Sequence, residues 1–142
     1  LAGSGTVLAD DPRLDARLWP GGRAPRPAIP DRRGRVPRTA RIMRRDPIIV
    51  RSATDPAELL PVLYREHGIT SLMVEGGSRV LASFVDSGLW DAARVEVSPQ
   101  SFGAEGTAPA PVLPLMPART DIVDGNSIHF YSQSPLVDVK NL

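Results

Sequence analysis

The 142-residue sequence contains no cysteine, which excludes disulfides and thiolate metal sites. His67 and His129 are its only histidines, so little remains to hold zinc, and no metal site is expected. No apolar run approaches the roughly 18 residues that a membrane helix needs, and no charged-then-apolar leader is visible. These absences set the expectation of a soluble cytoplasmic domain without membrane contact. An excess of one charge sign is also missing: the net charge is +1, too small for the molecule's overall field to steer a partner. Lysine is nearly absent, with Lys140 alone against 16 arginines, whereas proline, at 15 residues, is about twice its usual share. The simplest account of both is compositional bias. The length suits one domain that buries roughly two thirds of its unfolded surface.

What is present centres on Ser71-Leu72-Met73-Val74-Glu75-Gly76-Gly77-Ser78-Arg79-Val80-Leu81. The apolar run through Val74 predicts a short buried strand over residues 71–74. Val80, Leu81, Phe84 and Val85 then fall at i, i+1, i+4 and i+5, the stripe of a helix ending near Gly88. Gly76-Gly77 therefore sits where a strand's C-terminal end becomes a helix N-terminus. Unpaired backbone N–H groups and the positive end of the helix dipole collect there, and ligands of open α/β sheets bind at that edge. The glycine pair reads either as a phosphate cradle or as a tight turn, and the residues by themselves leave both open.

Upstream, Gly3-Ser4-Gly5-Thr6 reads as the exit of a strand whose body precedes Leu1, followed by a short helical or irregular piece capped by Ser4 or Thr6 and stopped at Pro12. Surface pairing accounts for Asp10, Asp11, Arg13 and Arg17. Residues 18–27 form a Pro/Gly-rich loop, and Ala28-Ile29 begins an edge strand bordered by prolines. Ile48, Ile49 and Val50 mark a core strand. Thr54 or Asp55 caps the next helix, Pro56 occupies its first turn and Gly68 closes it, leaving His67 in the last turn, facing the dipole. A half-exposed strand over 93–98 follows, then a long loop from Pro99 to Pro117 of the kind that serves as a lid or binding loop. A hairpin turning at Asp124-Gly125-Asn126 closes the domain, with His129 pointing to solvent, and residues 133–142 are a flexible tail. The order predicts an α/β fold: a mostly parallel sheet with an antiparallel C-terminal hairpin and flanking helices.

From Arg23 to Arg45 there are nine arginines against one aspartate. Such a run invites a nucleic-acid reading. No aromatic interleaves the arginines, however, and Pro25, Pro27, Pro30, Gly34 and Pro37 break any helix that would enter a groove. A solvated face, or part of a site for a phosphorylated ligand, suits the segment better.

The run Gly3-Ser4-Gly5-Thr6-Val7-Leu8-Ala9-Asp10-Asp11-Pro12-Arg13-Leu14, together with Val74-Glu75-Gly76-Gly77, resembles the reductase domain of bacterial riboflavin biosynthesis. Ile29-Pro30-Asp31-Arg32-Arg33-Gly34-Arg35-Val36-Pro37 and Arg94-Val95-Glu96-Val97-Ser98-Pro99 extend the likeness over roughly residues 1–132, read as one reductase domain. That family is the 5-amino-6-(5-phosphoribosylamino)uracil reductase, usually the C-terminal half of a bifunctional deaminase–reductase with a dihydrofolate-reductase-like fold. The resemblance implies that the family's first strand and helix lie upstream of Leu1.

It also implies roles residue by residue. Thr6, Asp10 and Arg32 contact NADPH, and Gly76, Gly77, Ser78, Arg79, Val80, Leu81, Ala82 and Ser83 hold its phosphates. Leu14, Arg17 and Glu75 contact a phosphorylated pyrimidine, with Arg17 as a bidentate donor. Asp10 is the candidate for orienting or protonating the substrate, or else a helix cap. The implied chemistry is hydride transfer from NADPH to C1′ of the ring-opened ribosylamine. A homodimer, and a deaminase domain on the same full-length chain, are implied as partners. Asp15-Ala16 departs from the family's more usual Thr-Val before Arg17. The rival expectations are another NADPH-dependent reductase of the same superfamily and a non-enzymatic polyanion-binding module built on Arg23–Arg45.

Overall fold

A computed structural model describes residues 1–18, 21–101, 103 and 108–134. The expected tail beyond Ser134 and part of the loop expected from Pro99 to Pro117 lie outside the described residues. The chain forms two compact units, Leu1–Ser83 and Phe84–Leu142, and every candidate site residue belongs to the first.

In the first unit, β1 (Ala28–Pro30) and β2 (Ile48–Val50) pair in parallel, Ala28 opposite Ile48 and Pro30 opposite Val50. All three residues of β1 are buried, and β2 buries Ile48 and Val50, as the β-branched run requires. β1 is an edge of this two-stranded ladder, as its prolines suggest, and a single backbone bond reaches its outer side. Ala2 N–H donates to Ala28 C=O at 3.1 Å on the side away from β2. A parallel bridge there needs a return bond from the N–H of residue 30, and Pro30 has none. Asp31 N–H, by contrast, donates to Val50 C=O at 2.8 Å. The proline's missing donor thus falls on the Ala2 side and costs the β1–β2 ladder nothing.

The strand expected over Ser71–Val74 is not regular. Its backbone nonetheless pairs in parallel with Leu1, whose N–H donates to Met73 C=O and whose C=O accepts from Glu75 N–H at 3.0 Å. One bridging residue is too short a partner for a ladder. The backbone order is therefore β2, β1, Leu1-Ala2 and the 73–75 segment, all running the same way and exiting at one edge.

Helices cover this set. α1 (Ser4–Asp10) starts without a side-chain cap, so neither Ser4 nor Thr6 plays the expected role. Val7 of α1 packs with Ile29, Ala40 and Ile42, and Leu14, Val36 and Met43 line the same cluster. A 3-10 helix at Arg41–Arg45, which no sequence signal announced, brings Ile42 there. α2 (Pro56–His67) follows its signals: the Asp55 side chain accepts from Ala57 N–H, Pro56 sits in the first turn and Gly68 closes it in the left-handed region. Leu59 and Leu63 are its buried stripe, and α2 packs on β2. His67 is exposed in the last turn, as expected.

Two backbone details fix the ligand edge. Asp31 is 1% exposed, and its carboxyl oxygens accept from Arg35 N–H at 3.0 Å and Val36 N–H at 3.1 Å, tying off the turn after β1. At Gly76 a Cβ would fall on Ala2 Cα and lie 2.7 Å from Gly3 N, so this backbone packs directly on the start of the chain's first turn.

In the second unit, β3 (Ala92–Val97), β4 (Arg119–Val123) and β5 (Asn126–Ser132) form an antiparallel sheet in the order β3-β5-β4. Asp124 and Gly125, both at positive φ, make the two-residue turn that Asp-Gly favours between paired strands. Ile128 and Phe130 are buried, and the Arg119 guanidinium sits 3.9 Å from the Phe130 ring centre. α3 (Ser78–Ser87) carries the chain from the first unit into the second.

Substitutions at three positions test these supports. Gly76→Ala forces the backbone apart and should cost about 2–4 kcal/mol in urea unfolding. Gly68→Ala meets open space at φ 66° and should cost only about 1 kcal/mol. Asp31→Ala strips two amides of their acceptor and should cost roughly 2–3 kcal/mol, with Asp31→Asn in between because one acceptor oxygen remains.

Candidate active site

Four segments of the first unit end at the same edge: Leu1-Ala2 into α1, β1 into the Asp31 turn, β2 into Arg51, and the 73–75 segment into Gly76-Gly77. Ligands of α/β sheets bind at this carboxyl edge. The structure puts a cleft of about 420 Å³ there, lined by Pro12, Arg13, Leu14, Asp15, Arg17, Arg41 and Glu75. Leu14, Arg17 and Glu75, the three residues implied to touch substrate, thus meet although Glu75 is far along the chain from the other two.

The loop forming one wall is strained and pinned. Asp11 and Leu14 both adopt left-handed φ, 42° and 47°, which is unusual for a leucine. The 3-10 helix holds both positions. Arg41 N–H donates to Asp11 Oδ1 at 2.7 Å, and Arg41 Nε donates to Asp11 O at 2.9 Å and Oδ2 at 3.0 Å. Arg45 Nη1 donates to Leu14 O at 2.7 Å, and its Nη2 to Pro25 O at 3.0 Å. Leu14 keeps its side chain against the Val7–Ile29–Ile42 cluster. The expected pairing of Asp11 with nearby arginines is therefore replaced by a contact 30 residues away in sequence.

Arg17 does not stand free. It donates to Asp15, the residue that departs from the family pattern, and this hydrogen bond holds the Asp15 carboxyl below its ordinary pKa. Burial opposes that shift, and the nearby charges of Arg17 and Arg13 add to it.

The glycine turn lies on the same edge. Gly77 has φ 61°, and a Cβ there would lie 2.8 Å from Thr6 Oγ1, so Thr6 and the glycine turn are brought together. Val80 packs on Gly3, where a Cβ would come within 2.8 Å of Val80 Cγ2. Gly77 C=O accepts from Val80 and Leu81 N–H, both at 3.1 Å. The N–H groups of Ser78 and Arg79 have no partner among the described residues. α3 has no acidic residue in its first turn and places the exposed Arg79 there, an arrangement unfavourable to the dipole unless an anion is near. Within α3 the Ser83 hydroxyl bonds back to its own helix, donating to Val80 O. Leu81 and Ala82 are half-buried in the helix. For Gly76 the absent side chain is explained by Ala2 and Gly3, and for Gly77, an exposed residue in the left-handed region, by Thr6.

Asp10 and Arg32 are exposed, Asp10 at the end of α1 and Arg32 in the turn after β1, and neither lines the cleft. Arg35 turns back from that same turn to donate to Ser4 Oγ at 2.9 Å. Arg26 is likewise engaged, bonding Asp46 O and Oδ2 at 2.8 and 2.6 Å. Arg26, Arg35 and Arg45 spend their terminal nitrogens on internal contacts, which removes them from any free cationic face, whereas Arg41 is held only through its backbone N–H and Nε. Sequence reasoning missed Arg41 as a cleft residue, and its one signal was membership of the arginine-rich run.

Among the described residues, no group of three or more His, Asp or Glu side chains is placed to hold a metal, and no helix is long and apolar enough to cross a membrane. Comparison with known proteins gives a consistent result. A family model described as the RibD C-terminal domain matches residues 1–119. The chain is 31% identical to the 2,5-diamino-6-ribosylamino-4(3H)-pyrimidinone 5′-phosphate reductase of Archaeoglobus fulgidus across 72% of its own length and 62% of that protein. It is 33% identical to the riboflavin biosynthesis protein RibD of Mycobacterium tuberculosis across 76% of its length and 32% of that protein. A solved Thermotoga maritima diaminohydroxyphosphoribosylaminopyrimidine deaminase/5-amino-6-(5-phosphoribosylamino)uracil reductase superposes with a TM-score of 0.73 at 26% identity, covering 91% of this chain and 43% of that one. The chain thus spans less than two thirds of each of these relatives. The match over residues 1–119 and the superposition together make this chain a member of the RibD C-terminal domain family, with the dihydrofolate-reductase-like α/β fold of its structural neighbours.

Proposed function

We propose that this chain is the reductase portion of a riboflavin-biosynthesis enzyme, reducing 5-amino-6-(5-phosphoribosylamino)uracil to its ribitylamino product with NADPH. The observation that carries the reading is the meeting of Leu14, Arg17 and Glu75 in one cleft at the carboxyl edge that also holds the Gly77 turn. A deaminase portion on the full-length protein, a cytoplasmic location and a homodimer belong to the same reading, as does a single reductase domain over residues 1–132.

The residues present fit the cofactor. The exposed Gly77 backbone, the unpartnered N–H groups of Ser78 and Arg79, and the Arg79 cation in an acid-free first turn together suit a diphosphate. Thr6, against Gly77, adds a hydroxyl, and Ser78 through Ser83 form the helix that presents these groups. When bound, NADPH supplies the hydride for C1′ of the ring-opened ribosylamine. The chain's own part is placement. The cleft wall at Leu14 is apolar and fixed by Arg45, and Glu75 offers a carboxyl to the polar edge of a pyrimidine. Arg17 offers a fork to a phosphate, with Asp15 competing for it. Asp10 and Arg32 remain the candidates carried over for orienting the substrate and approaching the cofactor.

Binding of NADPH to the full chain, followed by its fluorescence, tests the reading. Gly77→Asp should weaken it by about tenfold or more, because its Cβ would press on Thr6 Oγ1 and it would bring a carboxylate to the phosphate turn. A folded protein that ignores millimolar NADPH would overturn the proposal. A second test concerns Asp15. Its lowered folded pKa means that the pair with Arg17 is fully present above the ordinary carboxylate range and is lost only as pH falls through that lowered value. Asp15→Asn should therefore tighten binding of the phosphorylated substrate up to about fivefold near neutral pH, by freeing Arg17 from an exposed pair. That advantage should vanish in strong acid, which a titration from pH 8 downward would read.

A further inference from the structure

We infer that Arg41, on the 3-10 helix, is the principal donor to a phosphate monoester in the cleft, with Arg17 secondary; this rests on the substrate class proposed above. Three arginines line the cleft, and they differ in how they are held. Arg13 is exposed and has no hydrogen-bond partner among the described residues. Arg17 is half-exposed and spends a terminal nitrogen on Asp15. Arg41 alone is fixed without using its outer face. Its backbone N–H and Nε carry all three bonds to Asp11, and neither Nη1 nor Nη2 has a partner among the described residues.

That division of labour is what bidentate phosphate recognition requires. A guanidinium binds an oxyanion through two parallel N–H groups, and ordering a long side chain costs rotamer freedom at the moment of binding. Asp11 removes much of that cost beforehand. Asp11 is itself fixed: its N–H donates to Val7 O at 3.1 Å as α1 ends, and its left-handed φ turns the carboxyl and carbonyl together toward Arg41. The Asp11 charge also keeps the guanidinium tolerable in the unliganded cleft, with 45% of the Arg41 side chain still exposed. A phosphate dianion arriving there meets a donor already aimed.

Calorimetry on the full chain with ribitol 5-phosphate, unphosphorylated ribitol and NADPH reads this directly. The wild type should prefer the phosphate ester to ribitol. Arg41→Gln should lose about tenfold or more of its affinity for the ester, leaving ribitol and NADPH binding unchanged. Arg41→Lys keeps the cation and the fold, and should still lose several-fold, because an ammonium cannot hold Asp11 and present a fork at once. A merely structural role would lower the melting midpoint without separating ester from ribitol. If Arg41→Gln binds the ester like wild type while both bind NADPH, the inference fails and the reductase reading stands. If Arg41→Gln loses the ester but neither protein binds NADPH, the reductase reading fails and the phosphate subsite stands.

Discussion

The backbone of Gly76 lies against Ala2 and Gly3 so closely that no side chain fits between them, and the rest of the candidate site depends on that approach. It brings the turn after the 73–75 segment onto the start of α1, which sets Thr6 beside Gly77 and Val80 on Gly3. The pairing of Leu1 with residues 73 and 75 fixes the same contact from within the sheet. Two helix starts therefore share one edge. A side chain at residue 76 would separate them and carry the unpartnered N–H groups of α3 away from Thr6.

A second constraint acts from the opposite wall. The 3-10 helix reaches across with Arg41 and Arg45 and holds a loop whose backbone is strained at Asp11 and Leu14. Left-handed leucine is disfavoured by roughly 1–2 kcal/mol, so surrounding contacts must offset it. Packing of Leu14 in the Val7–Ile29–Ile42 cluster and the bond to its carbonyl supply that. The arginine-rich run, which looks from sequence like one cationic feature, separates into structural arginines and exposed ones. Charge counting alone had no means of telling them apart.

Local chemistry was legible in the sequence where it acts over a few residues. The Asp55–Pro56 start and Gly68 stop of α2, the Asp-Gly turn and the β-branched run of β2 follow from their own residues. What was not legible depends on partners far away. Pro30 beside Ile29 marks β1 as an edge, but which side of the strand the missing N–H falls on is revealed only by the pairing with β2. Ser4 looked like a cap because hydroxyls cap helices, whereas here it accepts from Arg35. Arg41–Arg45 has two apolar residues among its arginines, too few to show a period. The cleft itself was legible only through resemblance, since nothing in the spacing joins Glu75 to Leu14.

The electrostatics of the cleft follow from which atoms each carboxylate occupies. Asp15 takes a terminal nitrogen of Arg17, the part of a guanidinium that would face a phosphate, whereas Asp11 takes Nε and the backbone of Arg41 and leaves the fork clear. Two Asp–Arg pairs that look equivalent as charges are thus opposite in consequence. One competes with an incoming anion and the other prepares for it. In an exposed cleft, where an ion pair contributes at most about 1 kcal/mol, the gain from such a pair lies less in its Coulomb energy than in the orientation it imposes. The strained φ of Asp11 acquires a role on that account, because it turns carboxyl and carbonyl oxygens toward a single nitrogen of Arg41.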